Sequence, residues 1–295
     1  LTGRDFETRD FKEEIVDDTF KQMYEGVLNV ISQHNFTQFM IAIKSAGFIS
    51  SKMVTSNMAL DFAYTIHLLL QKSDVPVAER KRIVQKWYVL SALTGRYSTS
   101  PESAFARDLR QISERGVPTM LKAMEDAILS ENFWTVALPQ NLNSTSTTNP
   151  TYLVYLAAQV YFNDISLLSS NITVRELISL GGDVHHIYPK KYLIKNNYSK
   201  NFYNQEANYA YLDRPVNESI GMRAPKDYFS LALKQCETKQ AKCGSIIDDV
   251  ALKKNLVANC IPENVCDLDS DLYPEFLEQR RLLMAQKIRC YYESL

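Results

Sequence analysis

The stretch GGDVHHIYPK, residues 181–190, places two of the chain's four histidines side by side, after an aspartate and before a proline. It belongs to a segment, residues 183–227, in which short apolar pieces such as VHHIY and NYAYL stand among Asn, Pro and Gly. This composition predicts a compact β-hairpin with one helix. Neighbouring side chains on a strand face opposite ways, so both imidazoles can serve one site only if the strand is twisted or bulged.

Outside this segment the sequence predicts helices, because apolar residues recur at helical spacing. Ser56, Pro76 and the Ser100–Pro101 pair are typical of helix starts, and Gly116 is typical of a helix end. The run LPQNLNSTSTTNP, residues 138–150, predicts a polar loop at a domain boundary. The expected fold is mainly α: a helical domain over 1–150, and a domain over 151–295 that holds the segment with the histidine pair and the C-terminal helices.

The composition limits the classes of function. The chain has 295 residues, 45% of them hydrophobic, and a formal net charge of -1, so bulk charge attracts it neither to nucleic acid nor to a membrane surface. Its most apolar run, residues 58–70, is too short to span a bilayer and carries Asp61 and His67. We expect no secretory signal, no membrane association and a cytoplasmic location. Since the chain opens LTGRDF, we expect a fragment or a processed form.

The five cysteines, an odd number, favour free thiols in a reducing compartment over a disulfide framework. Cys236 with Cys243, and Cys260 with Cys266, were considered as zinc ligands. Their gaps of six and five residues are wider than the usual spacing of paired zinc ligands. We therefore predict free, mostly buried thiols.

Two asparagines follow the histidine pair at a characteristic spacing. Asn208 opens NYAYL, and Asn217 lies nine positions later in PVNESIG. Together with DVHHIYPKK, this order resembles the HNH, or His-Me finger, nucleases. The stretches TGRYSTSPESAFARDL (94–109), KDYFSLAL and FLEQRRLLMAQKI resemble the GmrSD-type, modification-dependent restriction endonucleases. The resemblance covers most of the chain and is strongest over 183–228, where it implies an embedded ββα-metal (HNH) finger.

The resemblance assigns a role to each polar residue of the finger. His186 would be the general base that activates water, and His185 and Asn217 would be metal ligands. Asn208 would orient the base or brace the loop, and Asp183 would contact a ligand from the outer shell. The alternatives are ordinary structural roles: a chance surface pair for the histidines, a helix cap for Asn217, and turn positions for Asn208 and Asp183.

The implied cofactor is one divalent cation, Mg²⁺ or Mn²⁺, which would stabilise the charge that develops at the phosphate. His185 stands where the family often has a carboxylate. Because imidazole suits softer cations better than Mg²⁺, Ni²⁺ and Zn²⁺ are also candidates.

Local basic residues could hold a nucleic-acid backbone near the finger despite the neutral chain. The candidates for phosphate contacts are Lys190, Lys191, Arg214, Arg223 and Lys226. The alternative for each of them is an ordinary solvated surface.

We therefore expect a metal-dependent DNA endonuclease in bacterial restriction or anti-phage defence. Its partner would be double-stranded DNA, modified DNA included. Such families usually carry an N-terminal nucleotide-hydrolysing, ParB-like domain, which is absent from this chain. Formation of a homo-oligomer is left open. The alternatives are a non-catalytic DNA- or partner-binding module with a degenerate finger, and a nuclease directed at RNA.

Overall fold

Helix dominates the computed structural model, which describes residues 2–5, 8, 10–182 and 184–295. Helix accounts for 67% of the structure and strand for 3%, so the predicted mainly-α class is confirmed. None of the described helices combines the length and the apolar character needed to cross a bilayer.

The first half of the chain consists of helices joined by short turns. They are α1 (Val16–Val30), α2 (Gln33–Ser45), α3 (Asn57–Gln71), α4 (Val77–Thr94), α5 (Pro101–Arg115), α6 (Val117–Ile128) and α7 (Leu138–Asn141). One predicted start signal and one predicted end signal hold. The Ser56 hydroxyl caps α3 by accepting from the Ala59 amide at 3.1 Å, and Gly116 ends α5. The predicted loop over 138–150 is shorter than expected, because a π-helical segment over 133–137 continues into α7.

The second half contains the two strands and the remaining helices. They are α8 (Pro150–Tyr161), α9 (Val174–Ser179), β1 (Val184–His186), α10 (Lys190–Lys195), α11 (Lys200–Tyr203), β2 (Tyr209–Tyr211), α12 (Arg214–Ile220), α13 (Pro225–Thr238), α14 (Asp249–Ala258) and α15 (Tyr273–Ser294). Strands β1 and β2 pair antiparallel, with His186 opposite Tyr209, and α12 follows directly.

The connection from β1 to β2 differs from the predicted hairpin, because it carries α10 and α11 instead of a tight turn. Its buried side chains explain the difference: Leu193 is fully buried, and Tyr203 is nearly so. The Tyr273 hydroxyl at the start of α15 donates to the Phe202 carbonyl at 2.8 Å. Packing against α15 therefore stabilises helices that are too short to form alone.

A single cluster of buried side chains extends across residue 150. Helix α8 lies at its centre, with all residues from 151 to 160 buried. Gly47 approaches α8 so closely that a Cβ atom there would lie 2.1 Å from the Ala157 carbonyl oxygen. The Tyr291 hydroxyl of α15 donates to the Ala46 carbonyl at 2.5 Å. The hydrophobic core is therefore continuous across residue 150, and the division into two domains at that residue stays a prediction.

The cysteines do not form paired sites. All five are free thiols; Cys236, Cys243 and Cys260 are buried. Among the described residues no group of three or more His, Cys, Asp and Glu side chains is arranged to hold a metal ion. The structure agrees with free and mostly buried thiols.

Candidate active-site cleft

A cleft of about 430 Å³ opens where β1 ends and α12 passes beside it. Both histidines of the pair line it, together with the start of α10 and one side of α12. The polar side chains at its wall are His185, His186, Lys190, Lys191, Asn217 and Glu218. Because β1 ends at His186 and the chain turns away, two neighbouring strand residues can line one cavity. The sequence-predicted base and both predicted metal ligands therefore meet at one place.

The backbone after His186 is held by one backbone–backbone hydrogen bond and by the side chains of Asn208 and Tyr228. The Ile187 amide donates to the Asn208 carbonyl, and the Ile187 carbonyl accepts from the Tyr228 hydroxyl, both at 2.8 Å. The Tyr188 amide donates to Asn208 Oδ1 at 2.8 Å, and Asn208 Nδ2 donates to the carbonyls of Tyr188 and Tyr203, each at 3.1 Å. Asn208 is fully buried, so it braces the loop, and its amide contacts backbone rather than the His186 ring.

A buried arginine from α15 holds the other side of this turn. Arg280 is fully buried, and its Nη1 donates to the carbonyls of Ala207 and Tyr209, both at 2.7 Å. Its Nη2 donates to the Asn259 carbonyl at 3.3 Å. Asn208 lies between the two carbonyls held by Nη1. The last helix of the chain thereby positions the first residue of β2.

The His186 ring is packed and hydrogen-bonded. The Tyr209 ring lies edge-on at 5.0 Å between centroids, and the Tyr203 ring lies at 6.4 Å. Its Nε2 lies 3.0 Å from Asn204 Oδ1. Burial lowers the pKa of His186; the hydrogen bond with Asn204 opposes this shift, and nearby Lys190 adds to it. A lowered pKa keeps the imidazole neutral at neutral pH, the form that can accept a proton.

Asn217 lies half-buried on α12, which begins directly after β2. Asp213 caps this helix by accepting from the Val216 amide at 2.9 Å. The helix ends at Gly221, whose φ of 59° and ψ of -114° suit glycine far better than a residue with a Cβ atom. The cap and the glycine turn fix a two-turn helix, so that Asn217 faces the cleft. The alternative role of Asn217 as a helix cap is filled instead by Asp213.

The five predicted phosphate-binding residues occupy different settings. Lys190 and Lys191 are exposed and line the cleft, and Lys190 Nζ lies 5.4 Å from the centre of the Tyr203 ring. Arg214, Arg223 and Lys226 are engaged with other partners. The two lysines are the basic side chains that line the cleft together with the histidine pair.

Arg214 pairs with Glu218 at 2.7 Å on the exposed face of α12. Lys226 pairs with Asp269 at 2.5 Å, and this contact, with the Tyr192 hydroxyl, lowers the pKa of Asp269 to about 2. The Arg223 guanidinium donates to the Ser219 carbonyl. These partners reduce the charge that Arg214 and Lys226 can offer to a phosphate.

Glu206 is a buried carboxyl two residues before Asn208. Its Oε2 accepts from Asn149 Nδ2 at 2.9 Å, while Oε1 has no hydrogen-bond partner. Its amide donates to the Ser144 carbonyl at 2.8 Å. Burial raises the pKa of Glu206 to about 7. The loop before α8 is thus tied to the turn that carries Asn208 through a group that titrates near neutral pH.

A larger groove of about 750 Å³ lies beside the start of β1, where Val184 and Tyr211 line it. Among its described lining residues, Lys52 is the charged one, and the remainder are apolar side chains, hydroxyls and glycines. No imidazole or carboxylate lines this described part of the groove. Of these two cavities, the smaller cleft is the one that His185 and His186 line.

The sequence carries no signal for two residues that support the site. Asn204 contacts His186, but a lone Asn in FYNQEAN carries no distinguishing signal. Arg280 supports β2 from far along the chain. Asp183 lies outside the described residues. Asn208 was predicted to orient the base or to brace the loop. Its side chain bonds to the backbone of Tyr188 and Tyr203, which are loop contacts.

Comparison with known proteins adds no relative: no protein-family model, curated protein or solved structure matches the chain significantly.

Proposed function

We propose that this protein is a metal-dependent endonuclease of the HNH type that hydrolyses phosphodiester bonds in DNA. One observation carries the proposal: His185, His186 and Asn217, singled out by their order in the sequence, line one cleft. Strands β1 and β2 pair antiparallel and helix α12 follows them, and this order of elements supports the proposal of a ββα finger.

His186 would be the general base. Its lowered pKa leaves it neutral near pH 7, and a neutral imidazole can take a proton from a water molecule that attacks the phosphorus atom. Its ring is fixed by Tyr209 and Asn204, so little reorganisation is needed before proton transfer. A positioned general base contributes roughly 10²- to 10⁴-fold to the rate.

His185 and Asn217 line the cleft from β1 and α12, and an imidazole nitrogen and an amide oxygen are donor types that a divalent cation accepts. They are few donors, so most coordination positions would be left to water and to the phosphate. When bound, the cation would supply Lewis-acid stabilisation of the developing charge and of the leaving oxygen. Mn²⁺ and Mg²⁺ are the first candidates, with Ni²⁺ and Zn²⁺ next because one donor is an imidazole.

Lys190 and Lys191, at the first turn of α10, would hold the DNA backbone at the cleft. A role in restriction or anti-phage defence, in the cytoplasm and on modified DNA, is proposed from the resemblance to GmrSD-type enzymes alone.

The direct test is cleavage of supercoiled plasmid by the purified chain with EDTA, Mg²⁺, Mn²⁺ or Ni²⁺. We expect metal-dependent nicking that is lost in His186→Ala and kept in His34→Ala, a matched control because His34 is exposed on α2. Circular dichroism must show that both variants are folded, since the His186 ring packs on Tyr209. Cleavage by a folded His186→Ala protein would refute the mechanism.

A second candidate is a binding module without catalysis. The observation in its favour is that the described residues contain no cluster of three or more His, Cys, Asp and Glu side chains that could hold a metal. This module would bind DNA equally well with EDTA or with Mn²⁺ and would cleave under neither condition. An RNA substrate is tested in the same assay with a single-stranded and a duplex RNA of matched sequence.

A further inference from the structure

We propose that Asn204 is a positioning residue that holds neutral His186 in its Nε2–H tautomer, so that Nδ1 is the nitrogen that takes the proton from the attacking water. The proposal rests on the proposed function for the role of the base. The hydrogen bond and the tautomer, in contrast, can be measured without any catalysis.

The argument begins with the chemistry of the two side chains. An amide oxygen only accepts hydrogen bonds, and Asn204 Oδ1 lies 3.0 Å from His186 Nε2. Nε2 must therefore carry the proton and donate it. A neutral imidazole has one N–H and one acceptor nitrogen, so the acceptor is Nδ1. The opposite tautomer would bring two acceptors together at 3.0 Å and lose the hydrogen bond.

The surroundings show that Asn204 is held in place for this contact. Asn204 is the C-cap of α11, and its backbone N–H donates to the Lys200 carbonyl at 3.2 Å. The preceding residue, Tyr203, packs its ring on His186, and its carbonyl accepts from Asn208 Nδ2. Two neighbouring residues therefore surround His186: Tyr203 supplies an aromatic ring beside it and a carbonyl that accepts from Asn208, and Asn204 supplies its hydrogen-bond acceptor.

The same contact restrains the orientation of the ring. Without the amide oxygen, the imidazole can rotate by half a turn about Cβ–Cγ, which places Cε1 where Nε2 lies and Cδ2 where Nδ1 lies. The edge-on ring of Tyr209 limits the tilt of the imidazole. Asn204 selects the ring orientation in which Nε2 faces its Oδ1, and in that orientation Nδ1 is left to accept the proton.

The first measurement is spectroscopic and uses the full chain, ¹⁵N-labelled, without metal, at a pH where the ring is neutral. Two-bond ¹⁵N–¹H correlations report the tautomer of each histidine, and His186→Ala assigns the signals. We expect a single Nε2–H tautomer for His186 in the parent chain and in Asn204→Asp, which keeps an acceptor oxygen. Asn204→Ala should show a mixture that includes the Nδ1–H form.

The matched control is Asn201→Ala, because Asn201 is exposed on the same short helix. Its hydrogen bond with Gln205 is made by the backbone carbonyl, which the substitution keeps. This variant should retain the single tautomer. A parent chain with the Nδ1–H tautomer, or an Asn204→Ala spectrum identical to that of the parent, would overturn the proposal.

The second measurement is kinetic, on plasmid with Mn²⁺. Asn204→Ala should lower kcat by roughly tenfold or more with little change in KM, since it disturbs the base and not DNA binding. Asn204→Asp should restore part of kcat, and Asn201→Ala should match the parent. A kcat loss without a change of tautomer would assign Asn204 a merely structural role and refute the inference. If the parent chain cleaves nothing, the proposed function fails, while the spectra still decide the role of Asn204 toward His186.

Discussion

Asn208 and Tyr188 are joined by two hydrogen bonds between one side chain and one backbone unit: the Tyr188 amide donates to Oδ1 at 2.8 Å, and Nδ2 donates to the Tyr188 carbonyl at 3.1 Å. This pairing closes the turn after the histidine pair. A third bond, from Nδ2 to the Tyr203 carbonyl, makes Asn208 the centre of the turn.

Asn208→Ala should therefore destabilise the protein. The change leaves buried backbone groups of Tyr188 and Tyr203 without partners, which costs about 2 to 4 kcal/mol in the free energy of unfolding. Urea unfolding measures the loss, and Asn201→Ala should stay within about 0.5 kcal/mol of the parent. A loss of equal size in both variants would contradict the bracing role.

Arg280→Met should loosen the same turn from the other side. The guanidinium donates to the carbonyls of Ala207, Tyr209 and Asn259, and methionine can replace its volume but not these bonds. We expect a loss of roughly 2 to 5 kcal/mol in urea unfolding, because hydrogen bonds to a charged donor are lost in a buried place. Arg110→Met, on the exposed face of α5, is the control. A neutral effect at Arg280 would mean that packing alone holds β2.

Glu206→Gln should change how stability depends on pH. Burial raises the pKa of Glu206 from 4.5 to about 7, so the folded state holds a proton that the unfolded state releases between these pH values. Stability from this group is therefore lost as pH rises through that window, by about 3 kcal/mol above pH 7. The free energy of unfolding of Glu206→Gln relative to the parent should rise by about 2 to 3 kcal/mol from pH 5 to pH 8.

The prediction concerns the change in the free energy of unfolding between pH 5 and pH 8. Any effect of the glutamine side chain on stability that does not depend on pH therefore cancels. Glu237→Gln, at an exposed position of α13, should show no such change. Parallel pH profiles for Glu206→Gln and the parent would mean that Glu206 is ionised in the folded protein near neutral pH.

Lys190→Gln and Lys191→Gln should weaken DNA binding mainly at low salt. Both lysines line the cleft, and each phosphate contact that is removed lowers the slope of log affinity against log salt by about 1. Fluorescence anisotropy with duplex DNA in EDTA measures this slope. Lys226→Gln should change it less, since Lys226 lies 2.5 Å from Asp269. Equal slopes for all three variants would place the DNA elsewhere.

His185→Ala and Asn217→Ala should each weaken binding of Mn²⁺ by at least about tenfold, because loss of even an outer-shell partner commonly has that effect. Titration calorimetry on the full chain measures the affinity, with Asn201→Ala as the control. If both variants bound Mn²⁺ as the parent does, the metal would not be held by this pair.

The site was only partly predictable for a physical reason. His185, His186 and Asn217 were found because their order and spacing along the chain are visible without a structure, and the cleft brings them together. Asn204 was not found, since its contact with His186 depends on how α11 packs. Lys226 was expected at a phosphate, but its partner Asp269 lies 43 positions away and cannot be inferred from local charge.

The sequence by itself determined the helical class, the start of α3, both bounds of α5, and the residue types at the cleft, because helix periodicity and capping act within one or two turns of chain. Only the tertiary structure decided that the connection between the strands folds into α10 and α11, and that Arg280 supports β2. Those features depend on burial against α15, which follows them by dozens of residues. Contacts of that separation arise from packing of the whole core, and no local pattern encodes them.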